Sequence, residues 1–212
     1  MTLNRSVRAA VAALALGAAG MVSAGPLVLT FEGIADNKAV GDFYKIDGVT
    51  FSPNTLAKVD ADVGGTGNFA NEPSPNTIMF FLTGASSILN YGAGFETGFS
   101  FYYSSSVATT VGVYSGLDGA GTLLGSIDLA AQHTTNCQGD PNGTFCNWTA
   151  AGIAFSGIAK SINFAGAADY TGFDNITIGA AAPGPGNVPE PASLALVGAA
   201  LLGLAAMRRR KA

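Results

Sequence analysis

The sequence predicts an all-β chain: a single jelly-roll-like β-sandwich flanked by an N-terminal signal peptide and a C-terminal single transmembrane helix. Three observations predict the sandwich. From residue 25 to 179 the apolar segments are short, rich in Val, Ile, Phe, Tyr and Thr, and separated by Gly, Asn, Asp and Ser turns. One segment alternates with period two, and no helical period of useful length interrupts the series.

In chain order the strand candidates begin with LVLTF at 27–31, GVTFS at 48–52 and TIMFFLT at 77–83. GFETGFSFYY at 94–103 follows, with Phe95, Thr97, Phe99, Phe101 and Tyr103 on one face of an extended chain. VATTVGVYS at 107–115 and TLLGSIDL at 122–129 flank Ser115–Gly121, whose glycines read as a hairpin loop. No Lys-Ser/Thr follows that loop, so it is not a phosphate cradle. WTAAGIAF at 148–155, IAKSINF at 158–164 and FDNITIG at 173–179 complete a set of eight to ten strands, which argues for a sandwich.

The two ends read as sorting elements. Arg5 and Arg8 precede an Ala/Leu/Val stretch and Val22-Ser23-Ala24, which predicts a leader at 1–24 removed by signal peptidase. At the other end, 192–207 carry no charge and would form about 24 Å of helix, short for a bilayer but able to span it with some thinning. Arg208, Arg209, Arg210 and Lys211 then predict a stop-transfer cluster held in the cytoplasm within the tail 208–212. The segment 180–191 is rich in Pro, Gly and Ala and reads as an extended, accessible linker.

Val188, Pro189, Glu190 and Pro191, followed by one apolar span and a terminal basic cluster, resemble the PEP-CTERM sorting signal of Gram-negative bacteria. The resemblance implies export through the inner membrane, a transient anchor with the passenger outside the cytoplasm, and processing near Pro-Glu-Pro by an exosortase-type enzyme. It also implies a destination at the cell surface or in an extracellular polysaccharide matrix. TTVGVYSGLDGAGTLLGSIDL and FDNITI are similar to the β-sandwich passengers of that family, which implies architecture and nothing about activity.

Between the sorting ends, residues 25–187 hold four lysines, no arginine and thirteen of the fourteen acids, a net charge of about −9. A chain without arginine in its exported part is a poor partner for nucleic acid, which is excluded. Cys137 and Cys146 are the only cysteines, and in an exported chain their spacing predicts a disulfide-closed loop. His133, the sole histidine, stands in a polar loop, and neither Gly-x-Ser-x-Gly nor His-Glu-x-x-His occurs.

Two acids raise a metal question. Glu32 follows Phe31 and Asp174 follows Phe173, so if each ring points inward each carboxylate points outward, and first and last strands are often neighbours. A structural calcium ion between Glu32 and Asp174 would relieve their repulsion. Asp60-Ala-Asp62 begins like a calcium loop but lacks the closing glutamate. Tyr91, Tyr102, Tyr103, Tyr114, Trp148 and Tyr170 are candidates for a sugar-stacking platform. The expected function is a non-enzymatic exported surface or matrix protein, with extracellular polysaccharide as the candidate ligand. The alternative is a secreted carbohydrate-active enzyme using paired carboxylates.

Overall fold

The computed structural model describes residues 25–135, 137, 143–166 and 168–184. The predicted leader, the Pro-Glu-Pro motif, the apolar span and the basic cluster lie outside these residues. Among the described residues no helix is long and apolar enough to cross a membrane.

Eleven strands follow one another: β1 (Leu27–Leu29), β2 (Val49–Phe51), β3 (Thr55–Val59), β4 (Thr77–Phe81), β5 (Ser86–Phe95), β6 (Gly98–Ser105), β7 (Thr109–Tyr114), β8 (Leu123–Leu129), β9 (Thr149–Ala154), β10 (Ala159–Ala165) and β11 (Thr171–Ile178). They build two antiparallel sheets. The first runs β3-β4-β11-β6-β9, with β1 also paired to β11; the second runs β2-β5-β10-β7-β8. The all-β, two-sheet architecture is the one the turn spacing predicts.

The core between the sheets is phenylalanine-rich. Phe99, Phe101, Phe164 and Phe173 are fully buried, and the Phe173 ring lies 4.8 Å from Phe164 and 5.4 Å from Phe101, centroid to centroid. Each such side chain contributes roughly 1.5–3 kcal/mol through burial. In β4, Met79 and Phe81 are fully buried while Ile78 and Phe80 keep a few per cent of exposure on the opposite face, roofed by loops.

The predicted strand at 94–103 is two strands. β5 ends at Phe95, the Gly98 amide donates to the Glu96 carbonyl, and Thr97 takes a left-handed φ of 74°, so Thr97 leaves the buried face. Phe99, Phe101 and Tyr103 keep the predicted inward row on β6. β3 and most of β5 are additional to the sequence expectation, because TLAKV is short and Gly92 and Gly94 dilute the apolar pattern of β5.

β11 is buried along its whole length. Phe173, Ile176 and Ile178 fill the core, while Asp174 and Thr177 are covered from outside by the 69–76 loop and by Ala180–Gly184. This last segment, read from sequence as the start of an accessible linker, instead lies on the first sheet. Ser100 Oγ donates to the Ala180 carbonyl at 2.9 Å, and the Gly184 amide donates to Thr177 Oγ1 at 3.0 Å.

Candidate functional site

The acidic residues singled out in the sequence meet on one segment. After β1, Phe31 turns with a φ of 63°, sending its ring into the core and its amide onto Tyr44 Oη at 2.6 Å. Glu32 thereby leaves the strand direction, and its Oε1 accepts the amides of Asn76 and Thr77 at 2.9 and 2.8 Å. Asp174 Oδ2 accepts the Ser74 amide at 2.6 Å, and Oδ1 accepts Ser74 Oγ at 2.7 Å and its neighbour's amide, Asn175, at 2.6 Å.

This corrects the picture of two outward carboxylates. Asp174 has no exposed surface, and Glu32 is half-buried. Their like charge is met by amide and hydroxyl donors of residues 74–77. A calcium ion between them would have to displace those donors from Asp174, and among the described residues no group of three or more His, Cys, Asp or Glu side chains is spaced to hold a metal. Asp60 Oδ1 accepts the Asp62 amide at 3.0 Å, capping the short 3-10 turn Ala61–Val63.

Burial pushes the Asp174 carboxyl up to about 6, against the pull of the Ser74 and Asn175 donors, and the Glu32 charge adds to the rise. Burial likewise pushes Glu72 up to about 7, with the neighbouring Asp60 carboxylate adding to the rise. Groups that hold protons more tightly when folded stabilise the fold as pH falls. In chelator the domain should thus gain stability from pH 8 to pH 5, the gain accumulating as pH drops through about 7 and then about 6. Glu72→Gln should flatten that slope and add ~1 kcal/mol at pH 8, after allowance for solvent screening. Denaturant midpoints that stay level or rise with pH would remove the proton-loaded cluster.

A second feature is a groove of about 330 Å³ on the outer face of the first sheet. Ile78, Phe80 and Gly172 form its floor, Phe69 and Phe145 its walls, and Lys58 and Asp169 stand among its polar groups. Two loops build the walls by pairing Phe69 with Phe145, and the Thr144 amide donates to the Asn68 carbonyl at 2.7 Å. Trp148 braces them from behind, stacked edge-on against Phe69 and donating Nε1–H to the Ala70 carbonyl at 3.0 Å. Gly172 admits the Trp148 ring, since a Cβ there would stand 3.1 Å from its edge.

The Cys137–Cys146 disulfide closes the loop beside Phe145. His133 supports the same wall: its carbonyl accepts the Cys146 and Asn147 amides, and its ring lies 5.1 Å from that of Phe145. Lys58 Nζ donates to Asn37 Oδ1 and Thr66 Oγ1 and sits 5.5 Å over the Phe80 ring.

The aromatics proposed from sequence do not share a face. Tyr103 belongs to the core, Tyr91 packs against it, Tyr114 lies over Gly112 on the second sheet, Tyr102 is half-buried on the first, and Tyr170 is exposed beside Asp169. The groove's own aromatics, Phe69, Phe80 and Phe145, were not among them. The one local signal was the doubled Phe80-Phe81, which must put one ring on the outer face of a strand.

The described part is thus an all-β sandwich with a walled surface groove, carried by a chain whose ends read as sorting elements. Residues 187–211 match the family model described as the PEP-CTERM protein-sorting motif, so the chain carries that signal and is exported. No curated protein matches the chain. Among solved structures, the CsCBM6-3 module of Clostridium stercorarium in complex with cellobiose is similar at 15% identity, covering 73% of this chain and 93% of that one, with a TM-score of 0.40. The CBM6cm-2 module of Cellvibrio mixtus lichenase 5A in complex with cellotriose gives 15%, 72%, 95% and 0.38. A Bacillus subtilis glycoside hydrolase family 43 arabinoxylan arabinofuranohydrolase gives 17%, 61%, 26% and 0.39. Likeness at this level reaches neither ligand nor activity.

Proposed function

We propose that this chain is an exported, non-enzymatic surface or matrix protein that binds extracellular polysaccharide through the groove on its first sheet. The leader at 1–24 starts export, 192–207 hold the tail in the inner membrane, and an exosortase-type enzyme releases the passenger near Pro189-Glu190-Pro191. The sorting motif at 187–211 is the observation that carries this reading.

The groove supports the binding half. It has the volume of a small-ligand site and combines aromatic walls with a few polar groups that would accept and donate hydrogen bonds to sugar hydroxyls. The domain's net negative charge favours a neutral glycan over a polyanion. One observation favours the enzymatic alternative: Glu72 stands beside Asp60 with its carboxyl raised to about 7 by burial and that neighbour, as a general acid would need. Neither residue lines the groove, and Asp174 is committed to protein donors.

The protein should be retained by the neutral polysaccharide fraction of its producer and turn none of it over. Phe145→Ser with Asp169→Asn should weaken retention about tenfold or more, with only a modest fall in melting temperature from loss of the half-buried Phe145 ring. Undiminished retention would remove the groove from the reading, and turnover lost on Glu72→Gln would replace it with the enzymatic one.

A further inference from the structure

The segment Ala180–Gly184 crosses the first sheet along a single row. Val28 of β1, Thr177 of β11, Ser100 of β6 and Gly152 of β9 are successive cross-strand partners, so they lie side by side over four strands. The segment follows that row. Ala181 lies on Gly152, the Ala180 carbonyl accepts from Ser100 Oγ, and the Gly184 amide donates to Thr177 Oγ1. Just before the segment, at the start of β6, Thr97 Oγ1 donates to the Gly179 carbonyl and the Gly179 amide donates to the Gly98 carbonyl.

The strip is shaped for backbone. A Cβ at Gly152 would collide with the Ala181 carbonyl oxygen, and one at Gly98 with the Ala181 amide nitrogen. Ser100 and Thr177, hydroxyls on an outer sheet face, are 0% and 1% exposed. With the segment lifted, both would face water and Ala180 and Gly184 would lose their partners.

We propose that this strip is a docking site for the chain's own linker, and that docking limits the rate of processing by keeping the cleavage segment on a short tether. Four residues, 185–188, separate docked Gly184 from Pro189. Fully extended they reach ~14 Å, whereas the nine residues from 180 to 188 would reach ~30 Å. The processing enzyme therefore meets the motif close to a folded domain unless the strap lets go, and its rate scales with the fraction of chains that are undocked. The proposal rests on the sorting reading above.

The test uses the full-length chain. In detergent, the Gly179 and Gly184 amides should exchange slowly in the wild type, and Gly152→Val should speed them while core amides such as that of Phe101 stay protected. In the producing cell, pulse–chase should show Gly152→Val processed about threefold faster or more, and Ser100→Ala faster by a smaller factor. A six-residue Gly/Ser insertion after Gly184, which leaves the strip intact and lengthens the tether, should match Gly152→Val. Fast exchange at Gly179 and Gly184 in the wild type overturns the proposal, as does wild-type processing of either the insertion or the serine variant. A chain with Pro189, Glu190 and Pro191 all changed to alanine separates the two readings: its normal processing sinks the sorting reading, while its block with no effect of the strip variants sinks the strap alone.

Discussion

Asp174→Ala should cost the domain about 3–5 kcal/mol, enough to unfold much of it at growth temperature if its total stability lies in the common range. The carboxylate accepts three short hydrogen bonds from Ser74 and Asn175, and alanine would strand the Ser74 and Asn175 amides in a fully buried site, while Ser74 Oγ keeps the Thr30 carbonyl at 3.1 Å. Each stranded donor costs roughly 1–3 kcal/mol. The sum is reduced because ionised Asp174 is itself disfavoured by burial, as its rise to about 6 shows. The loss should therefore be larger at pH 5, where the wild type carries the neutral acid, than at pH 8. Glu96→Ala, in the exposed turn between β5 and β6, should change stability by less than ~0.5 kcal/mol. Urea midpoints would decide it: a loss under ~1 kcal/mol for Asp174→Ala would mean that Ser74 finds other partners.

Changing Pro189, Glu190 and Pro191 together to alanine should abolish release almost completely and leave export intact. On the proposed sorting reading the leader and the apolar span are untouched, so the passenger should still cross and still stop. The prolines restrict the backbone to extended conformations and disfavour helix through the motif, whereas alanines favour helix and would deny a protease an extended segment. Cell fractionation should find the variant membrane-bound at its uncleaved mass. Release at the wild-type rate would show that the match at 187–211 does not mark the processing site.

The sandwich was legible because strand periodicity and turn chemistry are local. Phe99, Phe101 and Tyr103 alternate on the face where they are found, and Ser115–Gly121 forms the loop its glycines imply. Thr97 was misread because it continues the alternation by type while its backbone turns, and nothing in the residue marks a φ of 74°. Asp174 was legible as unusual and illegible as buried: its cover comes from Ser74, a hundred positions earlier. The groove escaped for the same reason. Its walls, Phe69 and Phe145, join loops that no periodicity connects.

The pairing of β1 with β11 has a consequence for the timing of folding. Leu27 is hydrogen-bonded in register with Ile178, 151 positions later, and among the described residues β1 has no other partner strand. A chain exported from its N-terminus thus emerges with its first strand unsatisfied and must carry it, unpaired, until nearly the whole passenger is across. On the proposed sorting reading, closure of the first sheet then coincides with arrival of the tail at the membrane. Between those moments the unpaired edge of β1 is open to any other strand it meets, so the proposed anchor at 192–207 would also keep each molecule apart from its neighbours while its last strand finds its first.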